Sequence, residues 1–520
     1  FFYNMKPFLC FLAVVLWVGA AFAQRPPLYK VIDPNPANMY QTDLGKNIIC
    51  MDRFYYINYA YISPEWLGEE GILKTDPKGN IIKHVVIRDP ASSLVFYPGT
   101  TDCVTRDSFL LFTGTSFDTL LKRQHIFFIK LTRDLEIVWI KRYGPSNRDY
   151  YCNSVVETED GRYIIHACEP SKDRQRAWLR LLCTDTSGTL LWDRVVPDTF
   201  NWSANGNVIR TADGNLLSTA HTYNSLLLTY GCLMTKTDPQ GNVLWQRALP
   251  FAESDLGAPM STPMPDGGSV LMWGMDTSVW IPGVLRGNMP VLRRYSPSGA
   301  WLWEVEWPLG FHRILRVITA ANGDIIGGGF RAPNYDAYEY GWMFRVSPEG
   351  EVKWNRFYSD SIQRPWASLG FQDLAETPEG DIIATGIVRD TVVKGNANMN
   401  VLLLRVGADG CLQKDCDDRT QYITPVQEVF RVPFGASPAR LEVSPNPVGA
   451  QLRVVLPEAG GPARQLEWYG LSGRQLGTVA VEAHQREATL PTEDLPTGAY
   501  WLLLREAGLP VARALVFVRR

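Results

Sequence analysis

The sequence predicts an all-β protein built from a repeated four-stranded unit, and two alternating turn motifs carry this prediction. The first motif is represented by Thr237-Asp-Pro-Gln-Gly241, which follows an apolar run and leads into an alternating run containing Trp245. The second is an acidic residue or Asn that is usually followed by Gly, as in Asp213-Gly214. Turns of these types between extended runs are typical of β-hairpins. Two hairpins per repeat give four strands.

The two motifs recur through most of the chain at intervals of about 55 residues. Trp occupies the place four residues after the first turn in five of seven repeats, and these places are Lys83, Trp139, Trp192, Trp245, Trp303, Trp354 and Lys414. Four-stranded units repeated at this interval are typical of β-propellers, in which each unit is one blade. We therefore predict a seven-bladed β-propeller over residues 24–416, with six or eight blades as alternatives.

The repeated Trp has two interpretations. It forms either an aromatic platform for a sugar or a packing contact between neighbouring blades. A ligand site is rarely repeated in every blade, and aromatic strand residues usually lie in the core. We expect the Trp series to be scaffold.

The order of strands predicts where a ligand binds. If strands A to D of each blade run from the axis to the rim, both repeated turns lie on one face, called here the turn face. The B–C and D–A loops lie on the opposite loop face and vary in length. Variable loops on a rigid scaffold often carry function. The last strand expected of blade seven, Cys411–Cys416, is weak, so we also expect residues 26–34 to pair with that blade.

Two B–C loops supply the candidate ligand-binding residues. The long loop of blade five contains Trp280 and Arg286, and the loop of blade six contains Tyr335, Tyr338 and Tyr340. Aromatic residues with Arg are enriched at contact surfaces, so these residues predict binding of a protein or glycan. Packing of the same loops against the blade edges is the structural alternative.

Composition argues against several classes of function. A net charge of −3 leaves no electrostatic footprint for nucleic acid. The six His show no HExxH spacing and the Cys show no CxxC pair, so neither a metal nor a cofactor is predicted. The sequence does not decide whether acids from different repeats meet at the axis. A polysaccharide-acting hydrolase or lyase is therefore the alternative function. The loop acids considered for it are Asp276, Asp336, Glu339 and Asp390.

The first 23 residues have the pattern of a secretory signal peptide. Met5-Lys6 is a short basic region, Phe8 to Val18 is apolar, and Ala21-Phe22-Ala23 is a small-x-small cleavage site. The pattern predicts export and a mature chain without a transmembrane segment. Disulfides are permitted in exported proteins. Cys411 and Cys416 are the best candidates for one, and the other Cys are expected to be buried.

The chain changes character after the repeats. Residues 417–439 contain Pro and are predicted to be a linker, and residues 440–520 contain short alternating strands separated by turns. This pattern favours a small C-terminal β-sandwich.

Three motifs in this last segment resemble a known family. Ser444-Pro-Asn-Pro447, Leu471-Ser-Gly-Arg474 and Leu495-Pro-Thr-Gly-Ala-Tyr500 resemble, in order, the type A C-terminal sorting domain of the type IX secretion system of Bacteroidetes. The closing residues depart mildly from the family, since Arg519-Arg520 stands where Lys is common. The positions that match its motifs are Pro445, Asn446, Pro447, Gly473, Gly498 and Tyr500.

The resemblance implies passage through the periplasm, recognition by the type IX machinery, and a final location that is secreted or on the cell surface. The repeats are similar to the loose delta-60 or β-propeller-repeat group of exported bacterial proteins, which implies no activity. The predicted function is an extracellular binding protein for a protein or polysaccharide. A structural protein of the cell surface is a third possibility.

Overall fold

The computed structural model contains only β-strands as regular structure in the residues that it describes. These residues are 28–32, 42–62, 68–87, 94–99, 101–118, 122–173, 176–198, 200, 202–224, 229–250, 259–276, 288–307, 311–332, 340–359, 368–390, 398–412, 416, 430–432, 439–457, 464–470, 475–482, 484–506 and 509–519. Among them there is no helix of the length and apolar character needed to cross a membrane.

The first nineteen strands run from the N-terminus to the middle of the repeats. They are β1 (Leu28–Ile32), β2 (Thr42–Met51), β3 (Phe54–Ile62), β4 (Gly68–Thr75), β5 (Ile81–Ile87), β6 (Leu94–Pro98), β7 (Cys103–Val104), β8 (Leu110–Asp118), β9 (Arg123–Leu131), β10 (Ile137–Tyr143), β11 (Tyr151–Glu157), β12 (Tyr163–Pro170), β13 (Ala177–Thr184), β14 (Leu190–Val195), β15 (Trp202–Ala204), β16 (Val208–Arg210), β17 (Leu216–Asn224), β18 (Thr229–Thr237) and β19 (Val243–Pro250).

The remaining strands complete the repeats and form the C-terminal domain. They are β20 (Met260–Pro263), β21 (Ser269–Asp276), β22 (Asn288–Tyr295), β23 (Trp301–Glu306), β24 (Phe311–Thr319), β25 (Ile325–Ala332), β26 (Tyr340–Val346), β27 (Val352–Tyr358), β28 (Ser368–Glu376), β29 (Ile382–Asp390), β30 (Asn398–Val406), β31 (Phe430–Val432), β32 (Ala439–Arg440), β33 (Glu442–Ser444), β34 (Gln451–Val455), β35 (Arg464–Gly470), β36 (Gln475–Val481), β37 (Glu487–Pro491), β38 (Gly498–Glu506) and β39 (Leu509–Val518).

Antiparallel pairing gathers the strands of the repeats into consecutive four-stranded units, as the hairpin motifs predicted. In the described residues the units are β2–β5, β6–β10, β11–β14, β15–β19, β20–β23, β24–β27, and β28–β30 with β1, numbered one to seven. The innermost strand is interrupted in unit two (β6 and β7) and in unit four (β15 and β16). The result is a propeller-like all-β arrangement.

Unit seven is completed by the N-terminal strand. β1 pairs antiparallel with β30, from Leu28 opposite Arg405 to Ile32 opposite Val401. The prediction that residues 26–34 pair with this unit is therefore confirmed for the described residues 28–32. Cys411 and Cys416 form the predicted disulfide, with their Cα atoms 5.5 Å apart.

Innermost strands of successive units contact one another, and the last of them contacts the first. β11, β16, β20, β24 and β28 are successive neighbours, and β28 returns to β2 of unit one. Hydrophobic clusters fill the gaps between units, such as the one that joins Ile49 and Ile72 of unit one to Phe112 and Phe127 of unit two. The core is therefore shared between units, as aligned repeats with apolar faces require.

The repeated Trp residues pack between units, as expected of scaffold. A Cβ on the turn Gly241 would lie 3.0 Å from the ring of Trp192 in the preceding unit, and one on Gly299 would lie 3.0 Å from Trp245. The indole of Trp303 donates a hydrogen bond to the Pro348 carbonyl of the next unit at 2.8 Å. The first-motif turns of units four to seven are thus seated on the Trp of the preceding unit.

The C-terminal strands form two further sheets. β32, β39, β38, β35 and β36 make one, and β33, β34 and β37 make the other. One hydrophobic cluster includes Leu452 and Leu490 of the smaller sheet and Leu466, Leu502 and Val516 of the larger. The two sheets therefore share a core. β36 and β37 were not predicted from the sequence.

Candidate functional site

A cavity of about 430 Å³ lies where the innermost strands of five units converge. Its wall is formed by residues 101–106, 155–157, 207–210, 261–263 and 316–318, which are the ends of those strands next to the second-motif turns. The cavity therefore lies at the turn face, opposite the loop face predicted from the sequence. Ligand sites in proteins commonly have volumes of about 300–1,000 Å³.

Arginine is the principal cation of this axial cavity. Arg106, Arg210 and Arg316 line it. The guanidinium of Arg316 is already paired with Asp373, at 2.8 Å, and that of Arg106 donates to the carbonyl of Glu159. Arg210 forms no ion pair with any residue in the described part of the chain. It is half-buried at the wall, so its charge is available to a ligand.

The acids at the wall are fewer and partly occupied. Glu157 accepts a hydrogen bond from the backbone N–H of Arg106 at 2.8 Å. Asp102 accepts one from the amide of Asn58 at 3.2 Å and a longer one from the backbone of Thr113 at 3.4 Å. Burial raises the pKa of Asp102 to about 7, because it disfavours the charged carboxylate. At neutral pH the cavity therefore carries less negative charge than its composition implies.

Asp102 has a second carboxyl group close behind it. The same Asn58 nitrogen donates to Glu70 at 2.9 Å and to Asp102 at 3.2 Å, so the two accepting oxygens lie within about 6 Å of each other. Glu70 is completely buried, and burial together with the nearby Asp102 raises its pKa well above the ordinary value. Glu70 does not line the cavity and supports its wall from within.

A ring of equivalent positions, here called the axial ring, links the units beside the cavity, and three of its members line the cavity wall. The ring consists of Asn47, Thr101, Ser154, Asn207, Met260, Arg316 and Asp373. Three of its side chains accept backbone N–H groups of the next unit: Asp373 from Ile48, Ser154 from Val208 and Asn207 from Ser261, each at 2.9 Å. Inner strands at a propeller axis lack a further neighbouring strand, so these side chains satisfy backbone groups that no ladder reaches.

Most of the residues predicted to bind ligand lie outside the described residues. This holds for Trp280, Arg286, Tyr335 and Tyr338. Tyr340 is described, is partly buried at the start of β26, and pairs across the sheet with Arg331. It packs against the hydrophobic cluster between units five and six, where it contributes to the scaffold. The side chains of the four loop acids also lie outside the described part.

The matched sorting-motif residues come together in the C-terminal domain. The side-chain oxygen of Asn446 accepts the backbone N–H of Phe517 at 2.8 Å, which fastens the Pro445–Pro447 turn to β39. Tyr500 donates its hydroxyl to the Pro496 carbonyl at 2.7 Å. Gly498 begins β38, and Gly473 lies outside the described residues. The described motif residues thus hold the ends of the two longest strands of this domain.

The axial residues were not predicted from the sequence, because they lie on inner strands and not in the variable loops. Asp102 immediately precedes β7, and Arg210 is the last residue of β16. A signal for the ring was present: Ser154, Asn207, Arg316 and Asp373 stand at one constant distance before the turn residues Gly161, Gly214, Gly323 and Gly380. Polar residues at a fixed place in apolar strands mark a special environment.

Comparison with known proteins gives only distant similarity. No family model matches the chain, and no curated protein matches it. An α-L-arabinofuranosidase from Fusarium graminearum is similar in structure, with a TM-score of 0.39 and 11% identity. The match covers 73% of this chain and 98% of the arabinofuranosidase chain. The β-propeller domain of the Trilobed protease from Pyrococcus furiosus, described as having an open velcro topology, is similar to 70% of this chain over 93% of its own. Its TM-score is 0.38 and its identity 10%.

A thermostable family-43 glycoside hydrolase is similar to 51% of this chain over 94% of its own, with a TM-score of 0.30 and 11% identity. These values are too low to transfer an activity. The arrangement of units described above rests on the strand pairing of the chain itself.

Proposed function

We propose that the protein is an exported seven-bladed β-propeller that binds a small polyhydroxylated carboxylate, such as an acidic sugar, in its axial cavity. Each four-stranded unit is one blade. The single observation that carries the proposal is the half-buried Arg210 at the cavity wall, which has no ion-pair partner among the described residues. A guanidinium in such a place is well suited to two-point recognition of a carboxylate.

The rest of the wall supports a sugar-like ligand. Asn207, Ser261, Thr262 and Thr105 also line the cavity, and their side chains are hydrogen-bonded within the wall. Small-ligand sites combine a preformed concave shape with a few convergent polar groups, which Arg210 and Asp102 supply here. Asp102, whose pKa is about 7, can donate a hydrogen bond to a ligand oxygen when it is protonated. The cavity volume of about 430 Å³ has room for one or two sugar rings.

Calorimetric titration of the full chain tests the proposal. The probes are galacturonate and glucuronate, with galactose and glucose as their uncharged counterparts. We expect the uronates to bind the unaltered chain. Arg210→Gln should weaken their affinity at least tenfold, which corresponds to a loss of about 1.4 kcal/mol in binding free energy. Arg194→Gln is the matched control, because Arg194 lies on the rim over the ring of Trp192. Absence of uronate binding, or equal affinity in Arg210→Gln, contradicts the proposal.

A second candidate, a glycoside hydrolase or lyase, is favoured by one observation. Asp102 lines the cavity with a pKa of about 7, a value suited to a general acid near neutral pH. Glu157 is the other carboxylate at the wall, whereas the fully buried Glu70 is screened from substrate. Release of reducing ends from polygalacturonate that is abolished in Asp102→Asn, with binding retained, would establish this candidate over simple binding.

Export is proposed on the sequence motifs. The signal-like residues 1–23 lie outside the described part of the chain, and the C-terminal strands form two sheets that share a hydrophobic cluster. We propose that this domain is a type IX sorting domain and that the propeller is delivered to the cell surface or beyond. Removal of residues 440–520 in a type IX-competent bacterium is expected to leave the propeller in the periplasm; its normal appearance outside would refute the assignment.

A further inference from the structure

The outer edge of unit five differs from the outer edges of its neighbours. Glu304 and Glu306 on β23 are 1% and 2% exposed. The residue equivalent to Glu304 in unit two is Ile140, which is 39% exposed, and the residue equivalent to Glu306 in unit three is Val195, which is 44% exposed. Two carboxylates are therefore buried at places where unit two or unit three exposes an apolar side chain.

A charge cluster accounts for the two buried acids. Arg293 on the adjacent strand β22 is paired with Glu304, and its guanidinium is held between the rings of Trp273 and Trp301, 4.6 and 4.4 Å from their centroids. Glu306 is paired instead with Arg513. Arg513 belongs to β39 of the C-terminal domain, where it lies over the ring of Trp501 at 5.4 Å.

Backbone pairing covers the same edge. β31, from the segment that precedes the C-terminal domain, pairs antiparallel with β23. Its register places Phe430 opposite Glu306 and Val432 opposite Glu304. Addition of a strand to an exposed sheet edge is a common mode of peptide recognition, in which the backbone gives affinity and side chains give specificity. Here β31 supplies the backbone contact, and Arg513 of the domain that follows it supplies the side-chain contact.

We propose that the edge of unit five is the docking surface for the chain's own C-terminal segment, through strand addition by β31 and completion of the charge cluster by Arg513. The surface combines residues from β21, β22 and β23, so only a folded unit five presents it. Removing one partner from a buried ion pair is strongly unfavourable, because the other charge is left without compensation. The segment is therefore coupled to the folding of the propeller rather than loosely tethered to it.

Hydrogen–deuterium exchange of the full chain tests the docking. Arg513→Glu places a third acid in the cluster, and we expect amides of residues 301–306 to exchange at least tenfold faster. The double variant Glu306→Arg/Arg513→Glu restores the opposite charges and is expected to recover most of the protection. Arg453→Glu is the control, because Arg453 pairs with Glu487 within the C-terminal domain.

Exchange in β38 and β39 shows whether the C-terminal domain itself remains folded. If these strands stay protected and residues 301–306 exchange as in the unaltered chain, the docking proposal is wrong. If Arg513→Glu unfolds them, Arg513→Met is used instead, since it removes the charge with less disruption of packing. Faster exchange in residues 301–306 then supports docking, and unchanged exchange overturns it.

Discussion

At the scale of single residues, the axial ring shows how side chains replace a missing strand ladder. Asn207 is the clearest member, because its amide accepts the backbone N–H of Ser261 at 2.9 Å and donates to the Ser261 carbonyl at 2.8 Å. It thus imitates a neighbouring strand with one side chain. The ring is therefore part of the scaffold that shapes the cavity wall.

Asn207→Ala is expected to lower the free energy of unfolding by about 1–3 kcal/mol, because both backbone groups of Ser261 lose their buried partner. Chemical denaturation monitored by Trp fluorescence measures the change. Asn242→Ala is the matched control, since the Asn242 side chain is exposed and bonds to Asp238 at 2.7 Å in a surface turn. Equal losses of unfolding free energy in Asn207→Ala and Asn242→Ala would show that the axial ring contributes no more to stability than a surface turn does.

Asp102 predicts a dependence of stability on pH. Its pKa is raised to about 7 by burial, so the folded state keeps a proton that the unfolded state releases near pH 4. The stabilisation is full below the unfolded pKa and is lost as the pH rises to about 7. Asp102→Asn removes this titration, so its melting temperature should fall less than that of the unaltered protein between pH 4 and 7. Parallel curves of melting temperature against pH for the two proteins would contradict the raised pKa of Asp102.

At the scale of elements, the first-motif turn is the part that sequence reasoning described best. Its Gly has a positive φ, +77° at Gly299, and the turn closes through a hydrogen bond from the Gly299 N–H to the Ser296 carbonyl at 2.9 Å. The local sequence sets this geometry, which is why the hairpins could be predicted. The Trp that follows five of the seven turns was also correctly interpreted as scaffold, since a repeated apolar residue indicates repeated packing.

Gly299→Ala tests the seating of the turn on its neighbour. The new Cβ would strain the left-handed backbone and would lie 2.7 Å from Arg247 and 3.0 Å from the Trp245 ring. We expect a loss of about 1–3 kcal/mol in unfolding free energy. Gly380→Ala is a matched control with a similar φ of +87° and no neighbour within 4 Å of the Cβ. The difference between the two losses isolates the contact with the adjacent unit.

At the scale of the whole molecule, the features that sequence reasoning missed are those made by residues far apart in the chain. The hydrogen bond from the Ile48 N–H to Asp373 spans unit one and unit seven, and the ion pair of Arg513 with Glu306 spans two domains. Neither Asp373 nor Glu306 has a local signal for its partner. The pairing of β1 with unit seven was foreseen because one unit visibly lacked a strand.

The axial cavity has no comparable signal in the sequence. Loop length is readable from the sequence, and it directed attention to Trp280 and Tyr338. The convergence of Asp102, Glu157 and Arg210 depends on ring closure, which brings together strand ends more than fifty residues apart. Their chemistry becomes apparent only when the units are assembled.

A crystal structure of the full chain grown with galacturonate tests the central claim most directly. We expect galacturonate in the axial cavity, with its carboxylate within hydrogen-bond distance of the Arg210 guanidinium and its hydroxyls facing the wall formed by Asn207 and Ser261. Galacturonate bound instead on the loop face near Trp280 and Tyr338, or an axial cavity that stays free of it at saturating concentration, would contradict the claim.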